Sequence, residues 1–168
     1  ALGMSPNDAA LASRIGNVLV TTHAYVKAIE YYSDAVVTDP SKTALRYELA
    51  ALYLALKKYD LAIAEINHLT SGFLAEEAAV DVGRTAAAAL IDDERLVTRA
   101  FLLLSKVHKA RGTLPEALES LRNAKTNQSR LLTRARGEAA AADQLGPNRE
   151  LACEVCLELG ALQERMHE

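Results

Sequence analysis

Residues spaced 34 positions apart in the first part of this chain are alike in kind, and no other feature constrains the fold as tightly. Pro6 stands 34 before Pro40 and Ala1 stands 34 before Ala35. Gly16 maps to Ala50, Leu19 to Tyr53, Tyr25 to Tyr59, Ala28 to Ala62 and Tyr32 to Ile66. A fixed period of this length marks one supersecondary unit used repeatedly, each copy burying its apolar face only against its neighbours. Within the period the order is a small residue, an aromatic, Ala, an aromatic, Ala and then Pro. Small residues belong where two backbones approach closely, and Pro ends one helix and opens the next.

Those spacings predict a helix, a turn and an antiparallel helix in each period, which is the tetratricopeptide pattern. The expected fold is therefore all-α, a tetratricopeptide-repeat α-solenoid in which antiparallel helix pairs wind into a right-handed superhelix. Residues 1–8 read as the end of a preceding repeat, Ala1 and Leu2 being its last turn, after which Ser5 caps the next helix with Pro6 at its first position. Repeat one spans 9–42. Its first helix carries Leu11, Ile15, Val18 and Leu19 at helical spacing, and its second presents Ile29, Tyr32 and Val36. Gly16 in mid-helix costs about 1 kcal/mol against Ala, so close approach of the partner helix is its expected purpose. Repeat two spans 43–76, YELAALYLALKKYDLAIAEINHL being helix, two-Lys turn, helix.

Beyond it the period slips by 21 residues. The Ala-rich stretch 71–91, whose composition allows helix in part but which Gly72 and Gly83 interrupt, reads as an insertion in the loop between repeats, bounded at 77–92. Repeat three spans 93–147, with Asp93 as cap, Gly112 as the stop of its first helix and a capping box at Thr113 and Glu116. Its second helix keeps its period towards Arg136, about two turns beyond the standard length, before the breaker Gly146-Pro147. Residues 148–168 read as the first helix of a fourth repeat, Leu159-Gly160 reproducing Ile15-Gly16. An array without polar caps at its ends is expected to be a piece of a longer one.

Charge and composition exclude other classes. Half of the 168 residues are apolar, only 5% are aromatic, and net charge is −3. Abundant Ala and Leu favour helix over sheet, and the charge gives no global pull towards nucleic acid or an anionic membrane. Two cysteines make no disulfide framework, no apolar run reaches membrane-spanning length, and ALGMSPNDAA lacks the regions of a signal peptide. The expected setting is a reducing cytosol.

At the level of whole segments, ASRIGNVLVTTHAYVKAIEYYSDAV followed by RYELAALYLALKKYDLAIAEINHL resembles the C-terminal half of the tetratricopeptide repeat protein 21 family. LLLSKVHKARGTLPEALESLRNAK, the long arm to Arg136 and LACEVCLELG look like its following repeats in the same order; residues 73–90 depart from it. The resemblance implies a structural role in the intraflagellar transport A complex, with the other subunits of that complex as partners. It implies retrograde transport within cilia, and a location in cytoplasm and cilium in association with the cytoskeleton.

Candidate sites divide into packing positions and one charged face. The packing positions are Gly16, Ala28, Tyr32, Ala35, Pro40, Ala50, Tyr53, Ala62, Ser105, Ala117, Ala124 and Gly160. From Arg99 to Arg136 nine Lys or Arg face only Glu116 and Glu119, a local net of +7, against −5 in residues 1–98 and −5 in 137–168. This run reads either as a solvated face balanced by acidic neighbours or as a docking surface for an acidic partner or anionic headgroups. Arg130, Arg134 and Arg136 are the residues expected to carry docking. Nucleic acid is disfavoured because Phe101 is the only aromatic in the run available for stacking.

The rival functional class is a peptide-binding adaptor or co-chaperone. A carboxylate clamp needs converging amide and cationic donors, and the matching positions are Ser13, Asn17, Glu48, Arg99 and Leu103. Only Asn17 fits. Cys153 and Cys156 lack the second pair that a zinc site needs and are expected in the core. His23, His68, His108 and His167 are scattered and read as structural. No phosphate-binding glycine loop or nucleophile motif occurs. The sequence therefore predicts no enzyme, no cofactor and no metal site.

Overall fold

The computed structural model describes residues 9–39, 42–79, 87–137 and 145–167. Among them are seven helices and no strand: α1 (Ala9–Thr21), α2 (Tyr25–Thr38), α3 (Thr43–Ala55), α4 (Tyr59–Ala79), α5 (Ala87–Arg111), α6 (Leu114–Gly137) and α7 (Leu145–His167). The chain forms two compact units, Ala1–Ile66 and Asn67–Glu168.

The turns inside the helix pairs share one geometry. His23 and Lys57 have φ of 59° and 58°, and Gly112 has φ of 89°. In each turn the left-handed residue's N–H bonds back to the carbonyl three residues before it: His23 to Val20, Lys57 to Leu54, Gly112 to Lys109. The next N–H reaches the carbonyl five residues back, Ala24 to Leu19, Lys58 to Tyr53 and Thr113 to His108, at 2.8–2.9 Å. This pattern satisfies carbonyls orphaned at the helix end and reverses the chain. His23 and Lys57 lie 34 residues apart, so the sequence period is a period of turn conformation too. Short connections of this kind make the flanking helices antiparallel neighbours.

In the first unit α1 packs on α2, α2 on α3, and α1 also meets α3. The core joins Ala28, Tyr32 and Val36 of α2 to Leu45, Leu49 and Leu52 of α3, with Leu19 and Val20 of α1 packed against it. Spacings of three and four residues along each helix put these side chains on one face. Arg46 of α3 reaches Glu65 of α4 at 3.0 Å. Val18, expected in the apolar stripe of α1, is instead 60% exposed.

In the second unit α6 lies between α5 and α7. Leu102, Ala117, Leu121, Ala124, Leu151, Val155 and Leu162 form its core. Beside that core runs a buried polar layer. The Asn127 amide donates to the Glu94 carbonyl at 2.8 Å and to the Thr98 hydroxyl at 2.9 Å. The Gln128 amide donates to the Asn148 carbonyl at 2.7 Å, and Arg95 Nε donates to Asn148 Oδ1 at 3.0 Å. Three helices are thus tied by groups that sequence alone would place at the surface.

Several boundaries differ from expectation. The segment 77–92 is not a loop throughout, since α4 continues through Ala79 and α5 already begins at Ala87. Alanine's helix preference outweighs the roughly 1 kcal/mol cost of Gly72, and Gly83 lies outside the described residues. Asp93, the expected cap, therefore lies inside α5 rather than at its start. Gly146 and Pro147 sit in the first turn of α7 rather than ending a segment; Pro fits there because the first-turn N–H groups have no intrahelical acceptor. The Thr113 hydroxyl turns back to His108, 2.9 Å from Nδ1 and 3.4 Å from its carbonyl oxygen. The Ser5 cap lies outside the described residues.

Candidate functional site

The packing positions fall into rows. Ala28, Ala62 and Ala117 are fully buried, as are Ala50, Ser105 and Ala124. Tyr32 is buried, while Ala35 and Tyr53 are partly buried at the edge of the first core. Pro40 lies outside the described residues. Gly16 is buried, and a Cβ built on it overlaps Cζ, Oη and Cε1 of Tyr32. The phenol ring therefore occupies the space that a side chain at 16 would need. Gly160 differs from its expected counterpart: nothing lies within 4 Å of a Cβ built there. No described residue packs over it.

Burial also sets the chemistry of these rings. Loss of hydration, reinforced by Glu48, pushes the Tyr32 phenol up to about 12. Burial, with Glu65 adding to it, raises Tyr53 as well. His108 is moved down from its ordinary value by burial, which opposes the cationic form.

The basic run splits in two. On α5, Lys106 pairs with Glu154 at 3.3 Å and Lys109 pairs with Glu158, both glutamates standing on α7. These cations are balanced by the neighbouring helix. On α6, Arg122, Lys125 and Arg130 are exposed, and residues 120–137 contain no acid. Arg130 lines a surface hollow of about 570 Å³ with Thr126, Ser129 and Thr133. Their spacing of three, four and seven residues makes this one stripe of α6. The three hydroxyls donate to the carbonyls of Arg122, Lys125 and Ser129, so towards solvent they offer lone pairs beside a guanidinium. Arg134 and Arg136 belong to α6, but their side chains lie outside the described set.

The clamp positions do not converge on a ligand. Asn17 and Arg99 are exposed, Glu48 is partly buried, and Leu103 is buried; the side chain of Ser13 lies outside the described set. Cys153 and Cys156 are both exposed, contrary to the expectation of core packing. Leu151, Val155 and Leu162 define the buried face of α7, and helical geometry turns positions 153 and 156 to the other side. Among the described residues no helix is long and apolar enough to cross a membrane. Nor does any group of three or more His, Cys, Asp or Glu there have the geometry to hold a metal.

Helix pairs with a shared turn geometry, small residues at the buried positions and apolar seams between them define the class: an all-α tetratricopeptide-type repeat. Solved structures agree. The chain is similar to PcrH, from its crystal structure in complex with the chaperone binding region of PopD, with a TM-score of 0.61, 15% identity and coverage of 98% of this chain and 97% of that one. It is also similar to the MamA RS-1 ArsTM double mutant, with a TM-score of 0.52, 16% identity and coverage of 97% and 79%. Residues 11–168 match the family described as the fourth ARM domain of tetratricopeptide repeat protein 21. The chain belongs to that family. It is 36% identical over 159 residues to tetratricopeptide repeat protein 21B of Homo sapiens, covering 95% of this chain. It is 34% identical over 156 residues to tetratricopeptide repeat protein 21A of Mus musculus, covering 93%. In each case the chain spans 11% of the relative's length.

Proposed function

We propose that this chain is a non-catalytic scaffold segment of an intraflagellar transport A subunit, which binds other subunits through its helix faces and serves retrograde transport in the cytoplasm and cilium. The family match over residues 11–168 is the observation that carries this reading. The acid-free stretch of α6, with Arg122, Lys125 and Arg130 exposed, supports a docking role for that helix. Charge reversal of Arg130, Arg134 and Arg136 to Glu in the full-length protein tests it. Recovery of the other subunits by co-purification should fall, and crosslinks from α6 to those subunits should disappear. Undiminished recovery with unchanged crosslinks overturns the docking assignment.

A peptide-binding adaptor is the second reading, favoured by the likeness to PcrH, whose structure holds a segment of PopD. The clamp positions favour the scaffold: a carboxylate, Glu48, stands where a donor to a peptide carboxylate is needed, and Leu103 is buried.

A further inference from the structure

Cys153 and Cys156 are exposed thiols one helical turn apart on α7. Side chains three residues apart on a helix stand with Cβ atoms about 5–6 Å from each other. A disulfide needs Cβ atoms about 3.5–4.5 Å apart. The pair is therefore too wide to close on itself without unwinding the turn, and is spaced to hold an atom between the two sulfurs. We propose that Cys153 and Cys156 form a bis-thiolate site for a monovalent thiophilic cation, Cu(I).

The ligand count selects the ion. Structural zinc takes four ligands, whereas among the described residues no third His, Cys, Asp or Glu joins this pair in a metal-holding group. Soft thiolates select Cu(I), which two sulfurs alone satisfy. Two of the neighbouring carboxylates are held by cations of α5, Glu154 by Lys106 and Glu158 by Lys109. Exposed Leu157 beside the thiols adds an apolar flank. On binding, both thiols lose their protons to solvent, two S–Cu bonds form, and copper stays in the +1 state.

The test is a competition titration of the chain with Cu(I) against a chromophoric Cu(I) chelator, under anaerobic reducing conditions. One Cu(I) per chain is expected, with two sulfur neighbours by X-ray absorption and two protons released. Cys153→Ser and Cys156→Ser should each abolish stoichiometric binding. Their helical circular dichroism should match the parent, because neither thiol is buried. Failure of the parent chain to compete, retention of stoichiometric Cu(I) by the double variant, or a three- or four-sulfur environment shared between chains each overturns the assignment.

Discussion

Gly16→Ala is the substitution that most directly probes how the helix pairs are closed. On helix preference alone it should stabilise by about 1 kcal/mol. The Tyr32 ring stands in the way: the new methyl overlaps three of its atoms. Tyr32 is 1% exposed and packed in a core with Ala28, Leu45 and Leu49, so the ring has nowhere to turn and α1 must move off α2. Forcing a methyl into such a core costs about 1–3 kcal/mol, which leaves a net loss of up to about 2 kcal/mol once the helix gain is subtracted. Gly160→Ala is the internal control, because open space surrounds the equivalent Cβ; there the helix term acts alone and a gain of up to about 1 kcal/mol is expected. Urea titration followed by circular dichroism should move the two midpoints in opposite directions. Combining Gly16→Ala with Tyr32→Leu, which removes the ring, should cost less than the sum of the single changes. Equal gains from both alanines, with additive behaviour in the double variant, would refute the reasoning.

Three further outcomes follow from the same structure. Tyr32 holds its proton more tightly when folded, so its contribution is full below pH 10 and is lost as pH rises towards about 12; urea stability should fall by about 2–3 kcal/mol across that window, and Tyr32→Phe should remove that loss. His108 is depressed, so the unfolded chain takes the proton first; stability should decline as pH falls below about 6.5, and His108→Gln should flatten the decline in the same titration. His23→Gly and Lys57→Gly relieve left-handed backbone in a side-chain-bearing residue and should each stabilise the fold by up to about 1–2 kcal/mol, read as a higher melting midpoint. Gly112→Ala, at φ of 89°, should lower it.

Helix pairing was legible in the sequence because small and aromatic residues recur at one interval, and Gly16 could be assigned to a close approach on helix cost alone. The turn conformations were half legible. Gly112 announces a left-handed stop, but His23 and Lys57 carry no such mark; only their 34-residue separation gives them away. Within 71–91 the alanines allow helix in part, and α4 and α5 enter the stretch from its two ends, through Ala79 and from Ala87; Gly72 inside α4 is the weaker signal. The cysteines misled because burial was inferred from residue type, when the spacing of Leu151, Val155 and Leu162 had already taken the buried face. The polar layer left no local trace: Asn127, Gln128 and Asn148 look like surface residues until the helices bearing Glu94 and Thr98 are brought against them.

That layer bears on how the second unit deforms. Aliphatic side chains tolerate sliding, since one leucine can replace another in a neighbouring slot. The Asn127 and Gln128 amides accept no such exchange: an axial shift of α5 by one turn would strand the Asn127 amide away from water, and a shift of α7 the Gln128 amide, at about 1–3 kcal/mol each. Load applied along the axes of these helices is thus resisted by indexed contacts, and yielding is channelled into prying the helices apart sideways.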